Sequence, residues 1–311
     1  MSKISVIEPT FVISLDVELL WGAVLHPKSK GASLLINDEK KGRGNTDLLL
    51  SLFEKYDVPA TWAVVGHLFL DQCQRENGVP HPEMPRFKDG WYSVDPCSDI
   101  QKDPLYYGKD IIEKVKSSPV GHEIGYHSFS HVPFSECSRE VAEAEIDSGL
   151  RVAEEFGVTL ESFVFPYNKV GHVDVLKAKG FKVYRGQDLG VIMNKSFPMG
   201  MIGAAIDKTI PPPVKPKWRD GIWEIPSSAV FWDPQFPFTL LPRTKMGILW
   251  SIRSNRIFHI FLHPHNLLSQ PSLERELDEL LAFVSEKREE GKLSVATMGE
   301  LASYLNSRGE V

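Results

Sequence analysis

The sequence predicts an α/β fold in which a mostly parallel sheet is covered by helices. Short β-branched or apolar runs alternate with longer amphipathic segments along the 311 residues, which is the pattern of repeated β-α units. About seven such units follow one another, and this regularity favours a distorted (β/α) barrel over an open sheet. Hydrophobic residues make up 42% of the chain, as expected for a globular protein with a sizeable core.

The strands are predicted from short runs of β-branched, aromatic and aliphatic residues. They cover residues 10–15, 60–65, 123–126, 162–165, 182–184 and 256–262. The carboxyl ends of barrel strands share one edge of the sheet, and catalytic groups gather there. We therefore expect the functional residues in the segments that directly follow these strands.

Helices are predicted where apolar residues recur every three or four positions. They cover residues 48–56, 110–116, 138–156, 173–178, 272–289 and 298–305. Asn45 is the expected N-cap of the first of these helices, and Gly157 is expected to end the third. The many acidic residues of the 138–156 helix are expected to form a solvated face.

Two long stretches interrupt the alternation. Residues 71–107 and 190–242 are rich in proline, glycine, charged and aromatic side chains. Loops of such length inside a compact domain are usually functional or ordered insertions. Since no linker or repeat is recognisable, we expect one catalytic domain over residues 1–311, with insertions at these two places.

Composition and charge exclude several classes of protein. The chain has 35 Lys and Arg against 41 Asp and Glu, a formal charge of −6, which argues against a nucleic-acid partner. The apolar stretch at 58–70 is too short to span a bilayer, and the first residues lack the apolar centre of a secretion signal. The three cysteines, Cys73, Cys97 and Cys137, have no C-x-x-C spacing and fit a reducing compartment better than a disulfide framework or a thiolate zinc site. We expect a cytoplasmic protein.

The sharpest local signal is the sequence GHEIGYHSFSH at 121–131. On a helical turn, the spacing of His127 and His131 places both imidazoles on one face, within reach of one metal ion. Ser128 and Ser130 are placed to cap or orient the turn. The alternative is a pair of ordinary surface or core histidines without a metal.

A second signal is the pair of acids at the end of the first predicted strand. Asp16 and Glu18, in SLDVE at 14–18, alternate along the strand and so point to one side. Two carboxylates that face one way repel each other unless a cation or a proton lies between them. The alternative is the solvated start of a loop.

The third signal follows the last strong strand, in FLHPHN at 261–266. His263 is expected at the mouth of the barrel, whereas His259 lies inside the apolar run and is expected to be a core histidine. Together the three signals suit a mononuclear metal hydrolase with a separate base and acid. A serine hydrolase is disfavoured because no G-x-S-x-G motif occurs.

The motifs together resemble the polysaccharide deacetylase family, also called the NodB homology domain or carbohydrate esterase family four. The family's H-[ST]-x-x-H motif is present as HSFSH at 127–131, and its first motif, usually T-F-D-D, resembles SLDVE at 14–18 in the form of the D-x-E branch. Its R-x-P-Y motif resembles VFPY at 164–167, and its last motif matches Leu262-His263. The resemblance implies a distorted (β/α) barrel of fewer than eight strands, a divalent metal that is usually zinc, and hydrolysis of an N-acyl group on an amino sugar.

The resemblance also implies roles for individual residues. Asp16 takes the position of the catalytic base and His263 that of the acid, while the backbone N–H of Tyr167 takes that of the oxyanion donor. The implied metal ligands are Glu18, His127 and His131.

The sequence departs from the family at two points. Val164 stands where the motif has an arginine that orients the base, and we expect Arg185, after the next strand, to supply a guanidinium instead. The fourth motif has no recognisable copy, with only Asp188 or Asp233 as candidates. Besides Tyr167 and Arg185, the substrate contacts are expected to include Asn168 and Trp232.

Other functions remain open on the sequence alone. The substrate is expected to be a nucleotide- or lipid-linked amino sugar, as in members of the family that resemble O-antigen and surface-polysaccharide enzymes. The motifs are equally compatible with a small-molecule amidohydrolase or deformylase, and the missing arginine with an inactive metal-binding scaffold. Assembly into a homo-oligomer is also left open.

Overall fold

A computed structural model describes residues 8–25, 28–186 and 210–309. In this part of the chain ten of the twelve strands belong to one sheet, and β3 with β4 forms a separate hairpin. The strands are β1 (Thr10–Val17), β2 (Thr61–Val64), β3 (Arg75–Glu76), β4 (Val79–Pro80), β5 (Glu123–Tyr126), β6 (Ser162–Val164), β7 (Val183–Gly186), β8 (Lys217–Arg219), β9 (Ile222–Pro226), β10 (Ala229–Val230), β11 (Ile257–Leu262) and β12 (Ser294–Val295).

The sheet is a curled half-barrel and confirms the predicted fold class. Its spatial order is β10-β11-β1-β2-β5-β6-β7-β9-β8, with β12 paired to β1. Every neighbouring pair from β10 to β9 is parallel, and only β8 and β9 are antiparallel. All eight residues of β1 are buried, as expected for a central strand whose two faces are both covered.

The segment 190–242 is not the simple insertion that the sequence suggests. Its described part supplies β8, β9 and β10 to the sheet and begins a long helix at Pro237. These strands are two to five residues long and lie between prolines, so they lack the apolar run by which a strand is recognised. With β12, which pairs in parallel with β1, the described parallel part of the sheet has nine strands, against the about seven expected. Residues 187–209, including Asp188, lie outside the described residues.

The helices agree with the prediction in place but not in every boundary. They are α1 (Lys30–Asn37), α2 (Glu39–Tyr56), α3 (Lys109–Ser117), α4 (Arg139–Glu155), α5 (Val173–Ala178), α6 (Pro237–Ser254), α7 (Asn266–Ser269), α8 (Leu273–Glu289) and α9 (Met298–Ser307). Ser138 caps α4, and Gly157 follows it at φ +62°, as predicted. The helices α1, α6 and α7 were not expected.

Asn45 is not an N-cap, because α2 begins at Glu39 and is capped by Asp38. The polar sequence before residue 48 carries two glycines and no apolar periodicity, so it lacks the signal of a helix. Tertiary contacts stabilise this half of α2 instead. A Cβ on Gly42 would lie 2.7 Å from Leu35 of α1, and Arg43 donates hydrogen bonds to the backbone carbonyls of Pro104 and Tyr107.

The segment 71–107 lies outside the main sheet, as an insertion would. It contains the hairpin of β3 and β4 and a 3-10 helix at Trp91–Val94. Trp91 and Tyr92 are buried, and their polar atoms donate hydrogen bonds to Ser130 and Glu145. The insertion is thus packed beneath the loop that carries His127 and His131. None of the helices in the described ranges has the length and hydropathy needed to cross a bilayer.

Two glycine substitutions should change the stability of the fold in opposite directions, because one glycine is in close contact with a neighbouring side chain and the other is not. A Cβ on Gly149 of α4 would lie 1.9 Å from the ring of the buried Tyr126, so Gly149→Ala should lower the free energy of unfolding by about 1–3 kcal/mol. Gly44 of α2 has open space around its Cβ position, and Gly44→Ala should raise it by up to about 1 kcal/mol.

Urea unfolding followed by circular dichroism measures both effects. A Gly149→Ala variant as stable as the wild type would contradict the described packing of α4 on the sheet.

Candidate active site

Side chains from three strand ends meet at the carboxyl edge of the half-barrel. Glu18 follows β1, His127 and His131 follow β5, and His263 follows β11. β1 lies between β11 and β2, and β2 pairs with β5, so these strand ends are close in space although the residues are far apart in the chain. Glu18, His131 and His263 line one cavity, and His127 lies directly behind Glu18, with Nε2 3.1 Å from its carboxylate.

Glu18, His127 and His131 form a compact triangle of ligand atoms. Glu18 Oε1 lies 3.1 Å from His127 Nε2 and 3.0 Å from His131 Nε2, and the two Nε2 atoms are 3.2 Å apart. A tetrahedral ion with bonds of about 2.0–2.2 Å keeps neighbouring ligand atoms about 3.4 Å apart. The donor types and their spacing therefore fit a divalent metal ion such as zinc, with a further position free for water or substrate.

The orientation of both imidazoles is fixed by neighbouring groups. His127 Nδ1–H donates a hydrogen bond of 2.7 Å to the carbonyl of Val164, which leaves the lone pair of a neutral ring on Nε2, facing Glu18. The ring of His131 packs edge-on against Tyr167, with 4.5 Å between ring centroids. Burial lowers the pKa of His131 and so favours its neutral, metal-binding form.

Glu18 is held in the site as a carboxylate. Only 6% of the residue is exposed, and burial alone would raise its pKa. The charges of His263 and His131 outweigh burial and hold the pKa of Glu18 well below its usual range. Its carboxylate lies against the backbone of Gly22, where a Cβ would be 1.9 Å from Glu18 Oε2.

Glu145 of α4 is hydrogen-bonded to the loop between His127 and His131. It accepts hydrogen bonds from Ser128 Oγ at 3.0 Å, from Ser130 N–H at 2.8 Å and from Ser130 Oγ at 2.6 Å. Tyr92 of the 71–107 segment donates a further hydrogen bond to it at 3.2 Å. The backbone of Ser128 and His131 has positive φ, 59° and 62°, and these bonds help to hold that unfavourable conformation.

The expectation that the acidic side of α4 is solvated is therefore wrong for Glu145, which is 1% exposed. The sequence did contain a signal for this. Glu145 shares a helical face with the apolar residues Val141, Ala142 and Val152, and an acid on such a face needs buried partners.

Asp16 is paired with Arg185 through two parallel hydrogen bonds. Arg185 Nη1 and Nη2 donate to the two carboxylate oxygens of Asp16 at 2.6 and 2.7 Å, and both side chains are buried. Burial would raise the pKa of Asp16, but the guanidinium outweighs it and lowers the pKa. Ser14 Oγ and Asn168 Oδ1 each accept a bond of 3.2 Å from Arg185.

His259 and His263 differ as the sequence suggests. His259 is fully buried in β11, and burial lowers its pKa to about 3; its Nε2 is 2.9 Å from Ser14 Oγ. His263 lies at the cavity, with Nε2 3.5 Å from Glu18 Oε1 and 3.7 Å from Asp16 Oδ2. Burial opposes its charge, but Glu18 and then Asp16 raise the pKa of His263 to about 9.

The cavity in front of these groups has a volume of about 380 Å³, within the usual range for small-ligand sites. Tyr167 and Asn168 line one side of it, and the apolar side chains of Leu19, Ala32 and Leu35 line another. Trp232 is not among the lining residues in the described part of the chain. Its indole N–H instead donates to Ser269 Oγ at 3.0 Å.

Asp233, one candidate for the missing motif, is also engaged elsewhere. Its carboxylate pairs with Arg243 at 3.0 Å and caps the backbone N–H of Phe236. The structure thus brings together the expected base, ligands and acid, with Arg185, Tyr167 and Asn168 beside them, but not Trp232 or Asp233.

The model of the polysaccharide deacetylase family matches residues 26–183, about half of the chain, including both histidines and Tyr167. The chain belongs to the polysaccharide deacetylase family. The matched range excludes Asp16, Glu18, Arg185 and His263, so only the geometry of the structure connects these residues with His127 and His131. No curated protein matches the sequence.

Solved structures of polysaccharide deacetylases share the fold. A putative polysaccharide deacetylase from Mycobacterium smegmatis is 16% identical over 99% of this chain and 94% of its own, with a TM-score of 0.65. A probable polysaccharide deacetylase from Pseudomonas aeruginosa PAO1 is 14% identical over 96% and 91%, with a TM-score of 0.61. Puue allantoinase is 13% identical over 96% and 91%, with a TM-score of 0.60. At these identities the likeness shows the fold.

The contact of Glu18 with Gly22 predicts a specific loss of metal affinity. Gly22→Ala should push the Glu18 carboxylate out of the triangle and weaken metal binding by about 10–100-fold, as the loss of supporting contacts does at other metal sites. Gly121→Ala is the matched control, since its Cβ would meet open space. Zinc titration against a competing chelator measures the affinity. Equal affinities of Gly22→Ala and the wild type would contradict the assignment of Glu18 as a ligand.

Proposed function

We propose that the protein is a metal-dependent hydrolase that removes an N-acyl group, typically N-acetyl, from an amino sugar. The observation that carries the proposal is the pairing of an arginine-bound carboxylate, Asp16, with the adjacent triangle of Glu18, His127 and His131. Membership of the polysaccharide deacetylase family supports the reaction class. A base, a set of ligands and an acid around one cavity are what amide hydrolysis requires.

The ligands in this proposal are Glu18, His127 and His131, and their carboxylate and imidazole donors suit zinc. A divalent ion held there supplies Lewis-acid chemistry, because it acidifies water and polarises a carbonyl group. The protein contributes the orientation of its ligands through Val164, Tyr167 and Gly22.

Asp16 acts as the general base in this scheme. Arg185 keeps it ionised and fixes both of its oxygens, so the carboxylate is ready to accept a proton from the attacking water. The lowered pKa makes Asp16 a weaker base but guarantees its charged form at neutral pH. Arg185 thereby takes the role of the arginine that Val164 replaces.

His263 acts as the general acid. An amide nitrogen is a poor leaving group until it is protonated, and the imidazole of His263 lines the cavity within 4 Å of both the Asp16 and the Glu18 carboxylate. The backbone N–H of Tyr167 is assigned to the developing oxyanion. The side chain of Asn168 serves to position Arg185.

The cavity supports a substrate with a small apolar acyl group. Leu19, Ala32 and Leu35 form an apolar wall next to the catalytic groups, which suits the methyl group of an acetamide. The carrier of the sugar stays a prediction. Arg43 of α2 is bound to Asp110 and to backbone carbonyls, so it is not free to bind the phosphate of such a carrier.

Acetate release tests the proposal directly. Zinc-loaded protein is incubated with N-acetylated amino sugars in free, nucleotide-linked and polymeric form, and with cyclic amides of the allantoin type. We expect acetate from at least one sugar, and a rate about 10²–10⁴-fold lower for Asp16→Asn, because the base is lost. Asp278→Asn, which breaks an exposed pair with Lys55, is the matched control and should keep full activity.

The outcomes separate the alternatives. Ring opening of a cyclic amide without acetate release would favour the amidohydrolase, and formate release from formylated sugars would favour the deformylase. Metal binding without turnover of any substrate would favour the inactive scaffold.

A further inference from the structure

A second cluster of metal-ligand side chains lies behind the catalytic loop. His67, Cys73, His81 and Asp95 each place one ligand atom within 4.8 Å of all the others. His67 and Asp95 are completely buried and His81 is 7% exposed, while Cys73 is half-buried. His67 follows β2, and the other three residues belong to the 71–107 segment. The cluster plays no part in the proposed hydrolysis.

The ligand atoms converge on one carboxylate oxygen. Asp95 Oδ2 lies 2.8 Å from His81 Nε2, 3.2 Å from His67 Nε2 and 3.4 Å from Cys73 Sγ. A tetrahedral zinc ion with bonds of about 2.0–2.3 Å separates its ligand atoms by about 3.3–3.8 Å. The three distances from Asp95 Oδ2 lie within about half an ångström of this spacing, and the remaining pairs of ligand atoms are no more than 4.8 Å apart.

One contact in the cluster is unfavourable without a cation or a proton. His67 Nδ1 donates to the backbone carbonyl of Tyr106 at 3.0 Å, so a neutral ring carries its lone pair on Nε2. That Nε2 is buried and makes no hydrogen bond, although it lies 3.2 Å from the Asp95 carboxylate. A lone pair and a carboxylate repel each other at this distance unless a cation or a proton lies between them.

The remaining polar atoms of the cluster have partners of the kind that orient metal ligands. Asp95 Oδ1 accepts from the backbone N–H of Cys97 at 2.9 Å, and Cys73 Sγ is 3.3 Å from Tyr107 Oη. His81 Nδ1 is 3.5 Å from Glu83 Oε1, which offers an acceptor for the Nδ1–H tautomer that leaves Nε2 free for a metal.

The backbone of His81 gives independent support. His81 has φ +44°, a conformation that is unfavourable for residues with a Cβ and is usually taken by glycine. The position is buried and its imidazole points at Asp95. Strain of this kind persists where the side chain is needed.

We propose that His67, Cys73, His81 and Asp95 bind a zinc ion in a closed, four-ligand structural site. The donor set favours zinc over magnesium or calcium, since those ions prefer oxygen ligands. Four protein ligands leave no open position, so the site stabilises structure rather than activating water. The expectation of no thiolate zinc site rested on the absence of C-x-x-C spacing, which excludes sites with neighbouring cysteines but not one with a single thiolate.

The proposed ion joins the 71–107 segment to the catalytic loop. The backbone N–H of Gly66 donates to Ser128 O at 2.8 Å, and that of His67 donates to Phe129 O at 2.9 Å. The rings of His67 and His81 pack against Phe129, with centroids 5.8 and 5.6 Å away. The ion is therefore expected to stabilise the loop of His127 and His131 without contacting the substrate.

Cobalt substitution distinguishes the two metal sites by their ligands. A thiolate bound to Co²⁺ gives a sulfur-to-metal charge-transfer band in the near ultraviolet, which a site of imidazoles and carboxylate lacks. The full-length chain, purified under reducing conditions and loaded with Co²⁺, should show this band. The double variant His127→Ala/His131→Ala should retain it, Cys73→Ser should lose it, and Cys137→Ser, a half-buried thiol outside the cluster, should retain it.

A second readout covers the case in which Cys73→Ser does not fold. In the zinc-loaded wild type, Cys73 should resist alkylation until a chelator is added, while Cys137 should react alike in both conditions. The proposal is overturned if the wild type shows no charge-transfer band, if the band survives Cys73→Ser, or if Cys73 alkylates equally with and without the chelator. It is also overturned if peptide mapping finds Cys73 in a disulfide with Cys97.

Discussion

Three lone pairs that meet in a buried pocket determine the arrangement of the rest of the site. Glu18 Oε1 and the Nε2 atoms of His127 and His131 lie 3.0–3.2 Å from one another, closer than unpaired acceptors tolerate without a cation or a proton. The surrounding structure maintains this closeness. The Val164 carbonyl fixes one imidazole, Glu145 holds the loop between the two histidines, and Gly22 leaves room for the carboxylate.

The curled sheet explains how Asp16, the proposed base, is held by an arginine from another strand. Arg185 of β7 is the parallel register partner of Val164 on β6, so a guanidinium one strand further along reaches the same edge of the barrel. β7 is four places from β1 in the sheet, and the curvature brings Arg185 across the interior to Asp16. The pair is buried, so removing either partner would leave an uncompensated charge.

The sequence was sufficient where the signal was local. Most of the central strands and longer helices followed from periodicity, and the meeting of Glu18, His127 and His131 followed from residue type and spacing at strand ends. It was insufficient where tertiary contacts decided the outcome. The first half of α2 lacks apolar periodicity, β8 to β10 are too short to be recognised, and the partners of Glu145 and Arg185 come from other elements. The cluster around Asp95 was missed for the same reason, since its four residues have no recognisable spacing in the sequence and come together only in the folded chain.

Anomalous X-ray scattering from crystals of the zinc-loaded protein tests the central claim most directly. Data collected on both sides of the zinc absorption edge should show a peak bonded to Glu18 Oε1, His127 Nε2 and His131 Nε2, with Asp16 beside it but bound to Arg185. A map with no zinc peak among these three atoms, or with the ion bound by Asp16 in place of Glu18, would contradict the account.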